Sequence, residues 1–499
     1  MLHDNIQHIQ STSLNQKGRI ILGIKTSSGR SGHTKTKHRQ AFQKDLTSGT
    51  LTLLTIGGIM GSGLFMASGL VMRHAGPVSL GLFAVGALAM YLEISALAEM
   101  SIATPTPGSF LVYTQQVLGP GWTFVSGWIF WFSSVLTMSS EVTAAALFTR
   151  LWFPGVALWI WSLVYSVLIV AINFISVRGF GTIEGVMAGV KTTAVLAFIG
   201  AAILSLFHVF PGSRIPANPL HNFSAYGGWL PNGWYGAMPA MLLILFSYAG
   251  TGVIGLAAAE TKNPTPTIRS AIRSTVSLIT VMYLGAIFLI LALVPWNHMS
   301  THISPFILAL RATHIPYGGL IMNIVLLFAV LSTMNAALYS NVRVLYGLAH
   351  AGHAPKTLGK LNKKGLPTHA IWMSAGLLAL TIILAYLLPA KAYAYLVTAT
   401  GFQAMFIWLM VLLTHLYYRP YLQKHHPEKL TYKLWGFPYT TIFVMAIVIV
   451  ALLVSPLAKG ELYGAVVGFA GILIAWAAWL IAKPYLLSHV PNTDSGGRV

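Results

Sequence analysis

The 499-residue sequence has no cysteine and only ten acidic residues. Without cysteine there can be no disulfide, no thiolate zinc site and no thiol nucleophile. No aspartate occurs between Asp45 and Asp494, and the seven glutamates are Glu93, Glu99, Glu141, Glu184, Glu260, Glu428 and Glu461. Charged residues make up 8% of the chain and apolar residues 56%, where ordinary globular proteins carry about 25% charge. A soluble fold of this length needs a charged skin that these residues cannot supply, which leaves a lipid bilayer as the solvent. An H-E-x-x-H helix and a Walker A loop are also missing. All 17 histidines fall in tails, connectors or span ends, so no metal cluster is expected inside a membrane segment.

Basic residues are the exception to this scarcity. Thirty Lys and Arg give a formal net charge of +20, a surplus that could neutralise phosphates on a nucleic acid. The distribution argues otherwise, because these residues sit in short connectors between apolar runs, as they do in membrane proteins that orient by charge. No nucleic-acid partner is expected. From Leu51 onward, twelve stretches are long and apolar enough to cross about 30 Å of hydrocarbon as helices. They lie near 48–72, 77–98, 122–149, 157–175, 186–207, 236–259, 272–294, 317–348, 369–388, 392–414, 438–456 and 462–482. With the amino terminus inside, 23 Lys and Arg lie on the cytoplasmic side and six outside. An even number of crossings with both ends cytoplasmic follows. Residues 1–46 are hydrophilic and lack an apolar h-region, so they read as a disordered basic cytoplasmic tail and not as a signal peptide.

Ionisable residues inside a bilayer are expensive and usually functional. Only Glu93, Glu141 and Lys191 fall well within the expected spans. Two spans also carry sequences that oppose a continuous helix. The first reads Thr55-Ile56-Gly57-Gly58-Ile59-Met60-Gly61-Ser62-Gly63-Leu64-Phe65, and the sixth reads Phe246-Ser247-Tyr248-Ala249-Gly250-Thr251-Gly252-Val253-Ile254-Gly255. Each glycine in a helix interior costs about 1 kcal/mol relative to alanine. Unwound backbone at membrane depth is tolerable only where it lines a cavity or is buried in protein. Freed amides at the start of a half-helix attract a carboxylate and freed carbonyls attract an ammonium, so a zwitterion suits such a pair. The alternative is close helix packing, for which Gly57 and Gly61 have the G-x-x-x-G spacing. Interruptions in the first and sixth spans are what a five-plus-five internal repeat would place in equivalent positions.

These residues resemble the amino acid permeases of the amino acid–polyamine–organocation superfamily. The resemblance runs through Gly57 to Gly69 and Ala75-Gly76-Pro77, Ala98-Glu99-Met100 with Pro107-Gly108-Ser109-Phe110, Ser126-Gly127-Trp128 and Glu141-Val142-Thr143-Ala144. It continues through Ala258-Ala259-Glu260-Thr261-Lys262-Asn263-Pro264, Ser304-Pro305-Phe306, and Asn341-Val342-Arg343 leading into Tyr346-Gly347-Leu348-Ala349. The resemblance implies an all-α integral membrane fold of twelve helices, LeuT-like. Its inverted repeats would occupy residues 47–207 and 208–414, two added helices 415–485, and a cytoplasmic tail 486–499. It further implies alternating access and a place in the plasma membrane, the inner membrane of a bacterium.

In that picture Ile59, Met60, Gly61, Ser62 and Gly63 supply amides to the substrate carboxylate. Phe246, Ser247, Gly250 and Thr251 face its ammonium and side chain, with Phe246 or Tyr248 as a gate. Lys191, in Gly189-Val190-Lys191-Thr192, falls where similar proton-coupled members carry a lysine in place of a sodium ion. Burial makes its ammonium costly and brings proton exchange into the range a gradient can drive. The bland alternative is a lysine that snorkels to the interface. Ser332 and Thr333 would line the same region, and Glu141 would relay a proton, recognise an amine or pair with a polar neighbour. Glu93 reads as a packing or interfacial residue. Glu99, Glu260, Arg269, Arg343 and Lys356 read as inner-gate or connector charges, with solvated pairs worth under about 1 kcal/mol as the default. Relatives often carry an acid in the sixth span where this chain has Gly252, and its loss favours a neutral or aromatic substrate.

The expected function is therefore secondary active transport, the import of an L-amino acid with a proton and without covalent chemistry. The coupling ion is H+, with no cofactor and no role for Na+. Small amino acids and the bilayer are the expected partners, and no obligatory protein partner is expected. An amino acid or polyamine exchanger of the same fold is the nearest alternative. An intramembrane enzyme would need a nucleophile and a base at one depth, which the absence of deep His or Asp argues against.

Overall fold

Thr47 opens the first helix by accepting the Thr50 amide on its hydroxyl, a side-chain cap for a donor that the helix itself leaves unpaired. A computed structural model describes residues 47–106, 110–175, 180–209, 218–257, 261–362, 365–457 and 461–488. The basic tail 1–46, the motif residues 107–109 and 258–260, and Arg178, Arg214, Lys363, Lys364, Lys459 and Arg498 of the orientation count lie outside the described residues.

Helix α1 (Ser48–Ile59) stops at Met60, and a five-residue π turn over Gly63–Ala67 leads into α2 (Ser68–Ala75). Gly76, at φ 71°, ends α2 in a conformation that favours glycine. The chain continues through α3 (Ser79–Ala103), α4 (Phe110–Val117), α5 (Pro120–Arg150), α6 (Leu158–Ile175), α7 (Phe180–Leu206) and the single turn α8 (His221–Ser224). The second interruption separates α9 (Gly233–Ser247) from α10 (Val253–Ala257). Then follow α11 (Pro264–Leu293), α12 (Pro305–Ala312), α13 (Gly318–His350), α14 (Thr368–Leu387), α15 (Ala392–His425), α16 (Tyr439–Val454) and α17 (Leu462–Ser488). Proline takes the first position of α5, α11 and α12, where its missing N–H removes a donor that would be unpaired anyway.

Eight helices among the described residues are long and apolar enough to cross a membrane, and three further apolar ones, Ser48–Ile59, Leu158–Phe174 and Gly233–Ser247, are shorter. Two of the short ones are α1 and α9, each cut off by an interruption. Long α5 lies at the centre with α13 and α15 along it, α7 flanks α1 and α13, and α11 flanks α1 and α3. The outside of the bundle is apolar: Val164, Val167, Leu168 and Ile172 of α6 and Phe469, Leu473, Ile474 and Ile481 of α17 are exposed. The inside holds the polar groups, among them Glu93 and Ser95 of α3 and Ser139, Ser140, Glu141 and Thr143 of α5, all buried. This inversion of a water-soluble surface is that of a multi-pass membrane protein.

Candidate functional site

The first interruption exists because four glycines in seven residues remove the side chains that would otherwise pack a helix there. A Cβ at Gly61 would stand 2.5 Å from Glu141 Oε1 and 2.9 Å from Thr333 Cγ2, so only glycine lets α5 and α13 come this close. The freed backbone is met from four other helices. The Ser62 amide donates to both Glu141 carboxylate oxygens, at 2.9 and 3.1 Å, and the Ser62 hydroxyl donates to Oε1 at 3.0 Å. Lys191 Nζ donates to the Gly57 carbonyl at 2.9 Å and to Thr333 Oγ1 at 3.0 Å. Thr333 in turn donates to the Met60 carbonyl at 3.1 Å, and the Tyr393 hydroxyl donates to the Ser62 carbonyl at 3.0 Å.

The second interruption is met mostly by neutral groups. Tyr283 donates its hydroxyl to the Ser247 carbonyl at 3.0 Å and reaches the Ile59 carbonyl at 3.5 Å, tying the two interruptions together. Thr251 Oγ1 donates to Glu93 Oε2 at 2.7 Å. Gly250 takes φ +114°, and a Cβ there would stand 2.5 Å from the Gly58 carbonyl oxygen; one on Gly63 would stand 2.8 Å from Ser247 Cα. Backbone therefore meets backbone where the two interrupted helices cross.

Around Lys191 the buried charges converge. Its Nζ anchors α7 to α1 and α13, and both Glu184 and Glu141 act on it electrostatically. Glu184, seven residues earlier and on the same face of α7, accepts from the Ser332 hydroxyl at 2.7 Å on Oε1. Its carboxylate lies against Gly57, where a Cβ would be 2.8 Å from Oε1. Each of these charges is out of water, so each needs a partner in the protein. The arrangement presents an amide to the Glu141 carboxylate at Ser62 and holds the Lys191 ammonium at a carbonyl oxygen, and Lys191 and the two glutamates are groups that can change protonation state.

The residues singled out from the sequence largely come together, with some redistribution. Ile59, Met60, Gly61, Ser62 and Gly63 form the first interruption, and Glu141 already occupies the Ser62 amide. Phe246 lies against Gly63, whereas Ser247 turns its hydroxyl to the Leu243 carbonyl of its own helix. Tyr248 stacks on Tyr283 with centroids 4.9 Å apart and donates to the Phe83 carbonyl at 2.9 Å. Of the two aromatics considered as a gate, Phe246 is therefore the one beside the first interruption. Gly250 and Thr251 touch Gly58 and Glu93 respectively, and Ser332 and Thr333 stand beside Glu184 and Lys191.

Several expectations change. Glu93 is not interfacial: it is 1% exposed and reaches the second interruption through Thr251, so a carboxylate does approach the region where Gly252 lacks one. Glu184 was placed outside the fifth span, but α7 begins at Phe180 and buries it. Glu99 is no solvated connector charge. It is 1% exposed and accepts from the Leu434 amide at 2.6 Å and from Arg419 Nη1 at 3.3 Å, with His415 Nε2 3.5 Å away. Helix α15 continues eleven residues past the expected end of its span, and that extension brings His415 and Arg419 inward to Glu99. Arg269 and Arg343 lie over the rings of Tyr432 and Tyr339. Tyr283 and Tyr393 carried no sequence signal, since a tyrosine in an apolar run looks alike whether or not its hydroxyl finds a carbonyl. Among the described residues no group of three or more His, Asp or Glu comes together as a metal site.

A model of the amino acid permease family matches residues 50–482. The gamma-aminobutyric acid permease of Bacillus subtilis (strain 168) is 34% identical over 417 residues, covering 84% of this chain and 88% of that one. The gamma-aminobutyric acid permease of Escherichia coli (strain K12) is 32% identical over 410 residues, 82% of this chain and 87% of that one. The aromatic amino acid transport protein AroP of Escherichia coli O6:H1 is 32% identical over 424 residues, 84% of this chain and 92% of that one.

Proposed function

The chain belongs to the amino acid permease family, and on that premise we propose that it imports an L-amino acid together with a proton by alternating access. The fold we assign is LeuT-like, with twelve crossings, two inverted five-helix repeats, both termini cytoplasmic, and a place in the inner membrane of a bacterium. The observation that carries the proton is the pair of hydrogen bonds from Lys191 to Gly57 O and Thr333 Oγ1. A protonated lysine there clamps α7 to α1 and α13, and a neutral one loses donors and charge, so its protonation biases one arrangement of these helices over the other. The substrate carboxylate is assigned to the amides of residues 59–63 and its ammonium and side chain to the Phe246–Thr251 stretch. A neutral or aromatic amino acid is the preferred class, in keeping with relatives named for gamma-aminobutyric acid and for aromatic amino acids.

The test is uptake into proteoliposomes of a radiolabelled mixture of the protein amino acids, with an inward proton gradient and no sodium. The wild type should concentrate label and Lys191→Ala should not. A requirement for sodium, or accumulation by Lys191→Ala driven by the pH gradient, overturns proton coupling through this residue. Flux that needs substrate preloaded on the far side would instead identify an exchanger.

A further inference from the structure

We infer that Glu184 is the inner proton acceptor of the coupling site, taking the Lys191 proton and releasing it toward the cytoplasm. This rests on the proton-coupling reading of Lys191 and adds to it the route by which the proton leaves. Four observations carry it. Glu184 is 2% exposed, yet only Oε1 is paired, with Ser332, and Oε2 has no hydrogen-bond partner among the described residues. A carboxylate kept only to neutralise a neighbour would be expected to close both oxygens, because an unpaired buried acceptor is costly. Lys191 directs two of its three N–H donors to neutral oxygens, Gly57 O and Thr333 Oγ1, and not to a carboxylate. The two groups nevertheless meet at one residue, since the Gly57 carbonyl holds the ammonium while its missing side chain leaves room for Glu184 Oε1. Neighbouring residues of α13 touch both groups: Thr333 accepts from Lys191 and Ser332 donates to Glu184.

Among the charged groups, Lys191 is the one that acts on Glu184; Gly57 of α1 and Ser332 of α13 lie against its carboxylate. The transfer conserves charge. An N–H bond of the Lys191 ammonium breaks, an O–H bond forms on the carboxylate, and an ion pair becomes an amine and a carboxylic acid. Such a step creates no new charge in the bilayer, where a lone ion is expensive. Direction follows from position. Glu184 lies about two helical turns closer to the start of α7 than Lys191, and a fifth crossing that begins inside places that start on the cytoplasmic side. Opening of that side then lets water take the proton from the carboxyl group. Glu141, at Ser62 on the other flank of Lys191, is left to the substrate end of the site.

The experiment compares wild type, Glu184→Gln, Glu184→Asp and Lys191→Ala in proteoliposomes with the same labelled amino acid mixture. Two readouts are taken: accumulation under an inward proton gradient, and exchange of label against a preloaded unlabelled mixture without any gradient. Glutamine keeps the oxygen that accepts from Ser332 and removes the titrating group. Glu184→Gln should lower accumulation by about tenfold or more, the scale of a positioned proton-transfer group, while exchange persists, and Glu184→Asp should restore part of the accumulation. If Glu184→Gln accumulates like wild type while Lys191→Ala does not, the assignment of Glu184 is wrong and the Lys191 reading stands. If both accumulate like wild type, the Lys191 reading fails as well. Loss of exchange in step with accumulation would assign Glu184 to folding or helix closure and overturn its role in proton release.

Discussion

At the interruption after α1 the freed backbone is met by an ammonium and a carboxylate, and at the one after α9 it is met by a tyrosine hydroxyl. Both stretches face the same physical demand, since backbone polar groups cannot be left bare at membrane depth. The second meets that demand without charge on its backbone; its carboxylate, Glu93, bonds the Thr251 side chain instead. Satisfying the peptide groups therefore does not require ions. The charges at the first interruption cost desolvation that hydroxyls would have avoided, and what ions add is the ability to change state with a proton. On the proposed function, that contrast separates a stretch suited to proton coupling from one suited to shape alone.

The largest expected effect tests this separation directly. Lys191→Ala should reduce proton-driven accumulation by about a hundredfold, whereas Tyr283→Phe should leave it within reach of wild type in the same vesicles. Equal losses from both would erase the distinction. Next comes the crossing of the two backbones. Gly250→Ala puts a Cβ on a φ of +114° and 2.5 Å from the Gly58 carbonyl, and should lower stability by about 3 kcal/mol, read as a fall in the melting temperature of the solubilised protein. Gly58→Ala is its control: a Cβ there meets Gly250 O at an ordinary 3.5 Å, and the melting temperature should hold or rise. Glu141→Gln keeps an acceptor for Ser62 but loses the charge on it, for a loss of about 1.5 kcal/mol. The smallest loss is expected from Tyr283→Phe, about 1 kcal/mol for one neutral hydrogen bond. A melting temperature that falls further for Tyr283→Phe than for Glu141→Gln would reverse the ranking of the two interruptions.

Glycine spacing announced both interruptions, because a helix without side chains loses packing and entropy whatever surrounds it. Lys191 and Glu141 could be singled out for the same kind of reason, as ions in long apolar runs. Glu184 escaped notice by lying two residues before the expected start of its span, although a helix extended by one turn would have put it on the Lys191 face. Glu93 stood in plain view within a span, but its partner Thr251 is 158 residues away, and no local pattern joins them. Glu99 read as an inner-gate or connector charge because it lies just past the expected end of its span, at 98. Its burial depends on α15 running on past the membrane segment to deliver Arg419.

Composition and order along the chain were enough to determine that this protein lives in a bilayer, that two of its helices break, and that a lysine sits where water does not reach. Those properties follow from each residue's own cost in hydrocarbon and need no partner to be evaluated. Only the tertiary structure decided which groups meet the broken backbone: Glu141 at Ser62, Lys191 between Gly57 and Thr333, Glu184 at Ser332, and Glu93 at Thr251. Pairings of that kind depend on how helices far apart in sequence cross, and a hydrogen bond has no energy until both of its atoms are in place.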